Sequence, residues 1–172
     1  MPLRFARVAT PIGPMVLYVH GERVCGLAFE DCAAGLKKTL VRRFGGEIVE
    51  EETDPTGVAS RLHAYFCGDL GALDPVEIDP GGTEFEQRVW ITLRLVPAGS
   101  TISYSRLAEA VARPSAARSV GSANARNPVA IIVPCHRVVG ADGALTGYAG
   151  GLERKRWLLR HEGALARALR AR

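Results

Sequence analysis

No apolar run in this 172-residue chain approaches the roughly 20 residues needed to cross a bilayer, which excludes a membrane-spanning helix. The first residues, Met1-Pro2-Leu3-Arg4-Phe5, carry no signal-peptide pattern. Cysteine is scarce, and Cys25, Cys32, Cys67 and Cys135 lie far apart with no close pairing. That spacing excludes a small disulfide-stapled fold and points to free thiols in a reducing compartment, so the expected location is cytoplasmic. Internal repeats are missing, and low complexity is confined to a basic Ala/Leu/Arg tail at 164–172. What is present is an ordinary globular composition, 47% hydrophobic and 23% charged, long enough for one large domain or two small ones.

Charge is unevenly spread. Residues 1–80 hold 8 Lys/Arg against 12 Asp/Glu, whereas residues 81–172 hold 14 against 6. A basic second half suggests a polyanionic partner, although a solvated basic face accounts for the charge equally well. Turn residues coincide with the change of sign at Asp79-Pro80-Gly81-Gly82, the best linker. The expected division is therefore an N-terminal α/β domain, 1–80, and a C-terminal domain, 81–172.

Within the basic half stands Pro134-Cys135-His136-Arg137, after the apolar run Val129-Ala130-Ile131-Ile132-Val133. The run reads as a buried strand, framed by Asn127-Pro128 and by the glycine-rich Val139-Gly140-Ala141-Asp142-Gly143. A cysteine at a strand end, beside a histidine, has the setting of a nucleophile, because the reactive form is the thiolate and an imidazole can supply it. A buried structural cysteine beside a surface histidine is the plainer reading of such a pair. The turn chemistry at both ends argues for the nucleophile.

Local signals predict the elements. Met15–Val19 and Val24–Phe29 flank a His20-Gly21-Glu22-Arg23 turn, and helices are expected over 36–44 and 58–67, with a strand at 47–51. The second helix should bury Leu62, Tyr65 and Phe66. His63 and Cys67 stand four apart on it, a spacing that suits two metal ligands, but no further pair completes a site and packing is the better explanation. No metal or cofactor is expected. Thr83 with Glu86 forms a capping box ahead of a helix carrying Phe85, Val89, Trp90 and Leu93, ended by Pro97-Ala98-Gly99. Ser103 caps a helix over 104–112, and another runs over 115–124 after Arg113-Pro114, a helix-turn-helix pattern. Nearly every residue of the second helix is small except Arg118, so its backbone can approach a partner surface closely; a nucleic-acid groove and a neighbouring helix both fit. A loop at Thr146-Gly147-Tyr148-Ala149-Gly150-Gly151 leads into a last helix over 152–159, with Gly163 as its C-cap.

Taken together, residues 83–163 closely resemble the O6-alkylguanine-DNA alkyltransferase family. The resemblance is carried by Arg118-Ser119-Val120-Gly121, Asn127-Pro128-Val129, Ile132-Val133-Pro134-Cys135-His136-Arg137-Val138-Val139-Gly140, and Gly147-Tyr148-Ala149-Gly150-Gly151-Leu152 with Lys155, Leu158, Leu159, Glu162 and Gly163. The first half is similar more loosely, through Pro11-Ile12-Gly13-Pro14 and residues 62–67.

The resemblance implies an α/β (α+β) fold, with a small ribonuclease H-like N-terminal domain followed by a mostly helical domain bearing the helix-turn-helix. It implies a monomer that repairs double-stranded DNA through the minor groove. The alkyl group passes irreversibly, once per molecule, from O6-alkylguanine to Cys135, with O4-alkylthymine as a second candidate substrate. His136, acting through a water and backed by Glu162, is the implied base, and Asn127 braces the turn. Tyr104, Val138, Tyr148 and Ala149 are the implied contacts to the base, and Lys155 orders the cysteine loop. Arg118 fills the gap left by the flipped nucleotide, while Ala116, Ala117, Ser119, Gly121 and Arg126 face DNA. Ala149 departs from the serine of many members, which leaves only its amide toward O6. The zinc of some relatives has no obvious ligand set here. Two other readings remain open: a DNA-binding regulator without transfer, and a cysteine hydrolase supported by the Cys-His pair alone.

Overall fold

Three β-rich segments near the N-terminus each have an apolar face to bury, and they pair into a sheet. In the computed structural model, which describes residues 1–50, 54 and 56–165, they are β1 (Leu3–Val8), β2 (Met15–His20) and β3 (Arg23–Phe29). These strands pair antiparallel, and β4 (Ile48–Glu50) joins β1 in parallel, giving the order β3-β2-β1-β4. The expected hairpin is present, and the expected helices are α1 (Ala34–Phe44) and α2 (Val58–Phe66). Helix α1 lays Leu36, Leu40 and Phe44 against Leu3, Val16, Tyr18 and Cys25. Each such side chain, once buried, contributes roughly 1.5–3 kcal/mol. On α2, Leu62 and Tyr65 are buried as expected, with Phe66 half-buried. Burial pushes the Cys25 thiol up to about 12, and it donates to the Tyr18 carbonyl at 3.4 Å, so this cysteine is a packing residue.

The following region is mostly helical: α3 (Glu84–Leu93), α4 (Tyr104–Ala110), α5 (Ala117–Ala125) and α6 (Leu152–His161). Glycine is required at Gly82, where φ is +79° and a Cβ would lie 2.7 Å from the Trp90 ring. The capping box is formed: the Thr83 hydroxyl accepts from the Glu86 N–H, and the Glu86 carboxylate accepts from the Thr83 N–H. Trp90 Nε1 donates to the Ala123 carbonyl at 2.9 Å, fastening α3 to α5. Ser103 caps α4, and α5 starts two residues later than its sequence suggests because Ala116 (φ −99°, ψ 30°) is not yet helical. Two short strands, β5 (Ile102–Ser103) and β6 (Val138–Val139), pair in parallel. Gly163, at φ +78°, closes α6 by donating to the Arg160 carbonyl.

One expectation is corrected. The run 129–133 is buried but is not a continuous strand. Val129 makes a single parallel bridge with Leu27, and then Ile131 adopts φ +70° while the Ile132 N–H turns back to the Ala130 carbonyl at 2.8 Å. A strand cannot run through a left-handed residue, so the chain reaches the cysteine by a buried turn.

By its packing the chain falls into two compact units. The first comprises Met1–Gly81 with Pro128–Ile132, and the second Gly82–Asn127 with the residues from Val133 on. Among the described residues, no helix is long and apolar enough to cross a membrane. Most of the basic tail expected at 164–172 lies outside the described residues; Ala164 packs with Val139 and Leu159.

Candidate functional site

Pro134 (φ −82°, ψ 62°) turns the chain into a single 3-10 turn, Cys135–Arg137, and β6 follows at once. That turn buries three reactive side chains in succession, Cys135, His136 and Arg137. Burial of polar groups demands partners, and most of these groups have found them. His136 Nε2 lies 2.8 Å from Glu162 Oε1, just past the end of α6. Arg137 grips the same carboxylate with two nitrogens, Nε to Oε2 at 2.9 Å and Nη2 to Oε1 at 2.8 Å, and its Nη1 donates to the Val96 carbonyl at 2.6 Å. His136 Nδ1, also buried, has no hydrogen-bond partner among the described residues.

Electrostatics assign the protonation states. Burial alone would raise the Glu162 carboxyl, but hydrogen bonds and charge from His136 and Arg137 more than reverse it and hold it well below the usual carboxylate range. The carboxylate is therefore ionised and accepts the Nε2–H of His136. Burial also lowers His136, against the raising effect of Glu162 and with help from the positive Arg137 and Lys155. At neutral pH the imidazole is thus neutral, with its lone pair on Nδ1. Burial raises the Cys135 thiol, opposed by a hydrogen bond from the Asn127 side chain and by the charge of Lys155. A buried thiol whose thiolate has two specific stabilisers and a neutral base as sequence neighbour is equipped for nucleophilic attack.

The surrounding elements hold this turn. Asn127 Nδ2 donates to the Val133 carbonyl at 2.8 Å, and Asn124 Nδ2 makes a longer contact, 3.5 Å, with the Cys135 carbonyl. Lys155 is fully buried on α6; its ammonium donates to the carbonyls of Val138 (2.6 Å), Thr146 (2.6 Å) and Gly147 (3.2 Å), three acceptors for three protons. Burial pushes it down to about 8, so it is charged at neutral pH. The same Thr146 meets the Tyr104 hydroxyl through Oγ1 at 3.3 Å, and β5 pairing sets Tyr104 immediately after Ile102 and Ser103, opposite Val138 and Val139. Tyr148 and Ala149 follow in the same loop.

Helix α5 turns Val120, Ala123 and Asn124 inward and leaves Arg118 and Ser119 exposed. Ala116 and Ala117, half-buried, form its start. Gly121 is half-buried, and a Cβ there would touch the Tyr104 ring at 3.6 Å. Arg126 pairs with Glu86 at 2.6 Å, joining the end of α5 to the first turn of α3. Away from this region, Cys67 Sγ lies 3.6 Å from His63 Nε2, and no group of three or more His, Cys, Asp or Glu that could hold a metal occurs among the described residues.

Three contributors escaped the sequence reading: Arg137, Asn124 and Thr146. For Arg137 a signal existed, since an arginine inside an apolar motif must find a carboxylate once buried. Asn124 and Thr146 gave none, because their contacts depend on the fold.

Residues 84–164 match the family described as 6-O-methylguanine DNA methyltransferase, DNA binding domain. A methylated-DNA–protein-cysteine methyltransferase of Shigella flexneri is 44% identical over 163 residues, 92% of this chain and 95% of the relative. One of Mycobacterium tuberculosis is 43% identical over 169 residues, 96% of each. Among solved structures, Mycobacterium tuberculosis OGT in complex with DNA is similar at TM-score 0.81 and 41% identity, covering 94% of this chain and 93% of that one. The O6-methylguanine-DNA methyltransferase of Pyrococcus kodakaraensis is similar at TM-score 0.71 and 30% identity, over 94% of this chain and 99% of that one.

Proposed function

Since this chain belongs to the methylated-DNA–protein-cysteine methyltransferase family, we propose that Cys135 is its alkyl acceptor. The family reaction is direct DNA repair, in which a methyl group leaves O6-methylguanine for the protein's own cysteine. The observation that carries the assignment is the buried Cys135–His136–Glu162 set, whose Nδ1 has no partner among the described residues. His136 Nδ1 takes the thiol proton, directly or through one water, and Glu162 holds the imidazole in the tautomer that can do so. The thiolate then attacks the methyl carbon. A C–S bond forms, the O6–C bond breaks, its electron pair returns to the base, and one proton restores guanine. A thioether has no facile leaving group, so each molecule acts once.

O6 is inside the base stack, so the nucleotide must rotate out before attack. Arg118, a long exposed side chain on a helix of small residues, occupies the vacancy, and the small residues let α5 approach the minor groove. Tyr104 and the Val138, Tyr148 and Ala149 segments receive the base, with Asn127 and Lys155 supporting the thiolate. The partner is damaged duplex DNA bound by the basic second unit, and one protein copy suffices for the reaction. Mixing the protein with a duplex bearing one O6-methylguanine should add about 14 Da to Cys135, one methyl replacing one proton, and leave it inert. Cys135→Ala should gain nothing while still binding DNA. Multiple turnovers, or methylation at Cys25, Cys32 or Cys67, overturn the assignment.

A further inference from the structure

Resting on that reading of His136 as the base, we propose that Arg137 is a positioning residue that keeps the imidazole in its neutral, proton-accepting form by sharing the Glu162 carboxylate. A buried carboxylate facing a histidine alone favours imidazolium, because the ion pair is stabilised where water cannot compete. Here Arg137 offsets part of that attraction. Arg137 is permanently charged and binds both Glu162 oxygens, Oε1 among them, the atom that His136 also uses. Arginine and glutamate together are neutral. A proton added to His136 would then sit, fully buried, beside the guanidinium and near the Lys155 ammonium, with Cys135 the remaining titratable neighbour. That arrangement disfavours imidazolium: burial lowers His136 most, and the charges of Arg137 and Lys155 lower it further. The Val96 carbonyl anchors the far side of the guanidinium at 2.6 Å, so the clamp is held in place independently of the histidine.

The direct test is the titration of His136 by NMR in a Cys135→Ser background, which separates the imidazole from the thiol and needs no alkyl transfer. Arg137→Met should raise the His136 midpoint by at least about one pH unit, tenfold in proton affinity. Arg137→Gln, which keeps hydrogen bonding without charge, should do the same and serves if the methionine variant does not fold. Arg137→Lys should hold the parent midpoint. With Cys135 restored, the acidic limb of the methyl-transfer rate should move to higher pH in the Met and Gln variants only. A midpoint shared by parent and the folded uncharged variant overturns the proposal, and so does a rise in Arg137→Lys equal to theirs. Failure of the parent to gain a methyl would instead overturn the assignment of Cys135, leaving the titration result standing.

Discussion

Acid should destabilise this protein through His136 and Glu162 in two steps. Burial lowers His136 below its ordinary value, so as pH falls through about 6.5 the unfolded chain takes up a proton that the native chain refuses. Glu162 is held well below the carboxylate range by His136 and Arg137 despite burial, so a second loss begins as pH falls below about 4.5. Both steps have the same sign: stability is greatest above them and declines toward acid. Urea unfolding between about pH 8 and pH 2 should show the decline, and Glu162→Gln should remove the lower step. A pH-independent stability over that range contradicts it. The kinetic counterpart is His136→Phe, which should slow methyl transfer strongly, with the loss shrinking as pH rises and the thiol ionises unaided. A parent rate at every pH would mean that the thiolate arises without the imidazole. At this scale much of the site was legible, because Cys135, His136 and Asn127 lie within ten consecutive residues. The Arg137–Glu162 clamp spans 25 residues, and spacing alone says nothing of which carboxylate a buried arginine will find.

Among the elements, α5 offers the sharpest tests. Arg118→Ala should slow repair in duplex DNA while barely changing reaction with free O6-benzylguanine base, provided the pocket admits it, since a free base needs no flipping. Equal losses on both substrates would move Arg118 from the wedge role to the pocket or the fold. Gly121→Ala should stabilise the protein by about 0.5–1 kcal/mol, because the position is helical and the new methyl would only touch the Tyr104 ring at 3.6 Å. Thermal unfolding reads this directly, and a loss of stability would mean that the ring cannot accept the contact. The caps at Thr83 and Ser103 were readable because capping is settled within one turn of chain. The run 129–133 was misread for a related reason: apolar, β-branched residues suit a buried strand and a buried turn alike, and nothing in the letters reveals that Ile131 takes a positive φ.

For the molecule as a whole, the uneven charge predicts weak, sequence-independent binding to undamaged duplex that falls steeply with salt, carried by the second unit. Salt-independent binding, or strong preference for one sequence, would favour a regulator. The change of charge sign and the Gly81-Gly82 turn were visible beforehand, but not the excursion at Pro128–Ile132, where Leu27 donates to the Pro128 carbonyl and accepts from the Ala130 N–H, each at 2.9 Å. Cutting at the Gly81-Gly82 turn should therefore strip this segment of its partners, leave Val129, Ile131 and Ile132 bare, and make the isolated C-terminal fragment less stable and slower than the full chain. A fragment as stable and as fast as the parent refutes that. For recombination the same weave has a cost of its own. The two units are not interchangeable cassettes: a chimera that takes its front half from one relative and its back half from another inherits five residues, ending three positions upstream of Cys135, that were fitted to a strand it no longer has. Such hybrids should succeed only when residues 128–132 travel with the strand that holds Leu27.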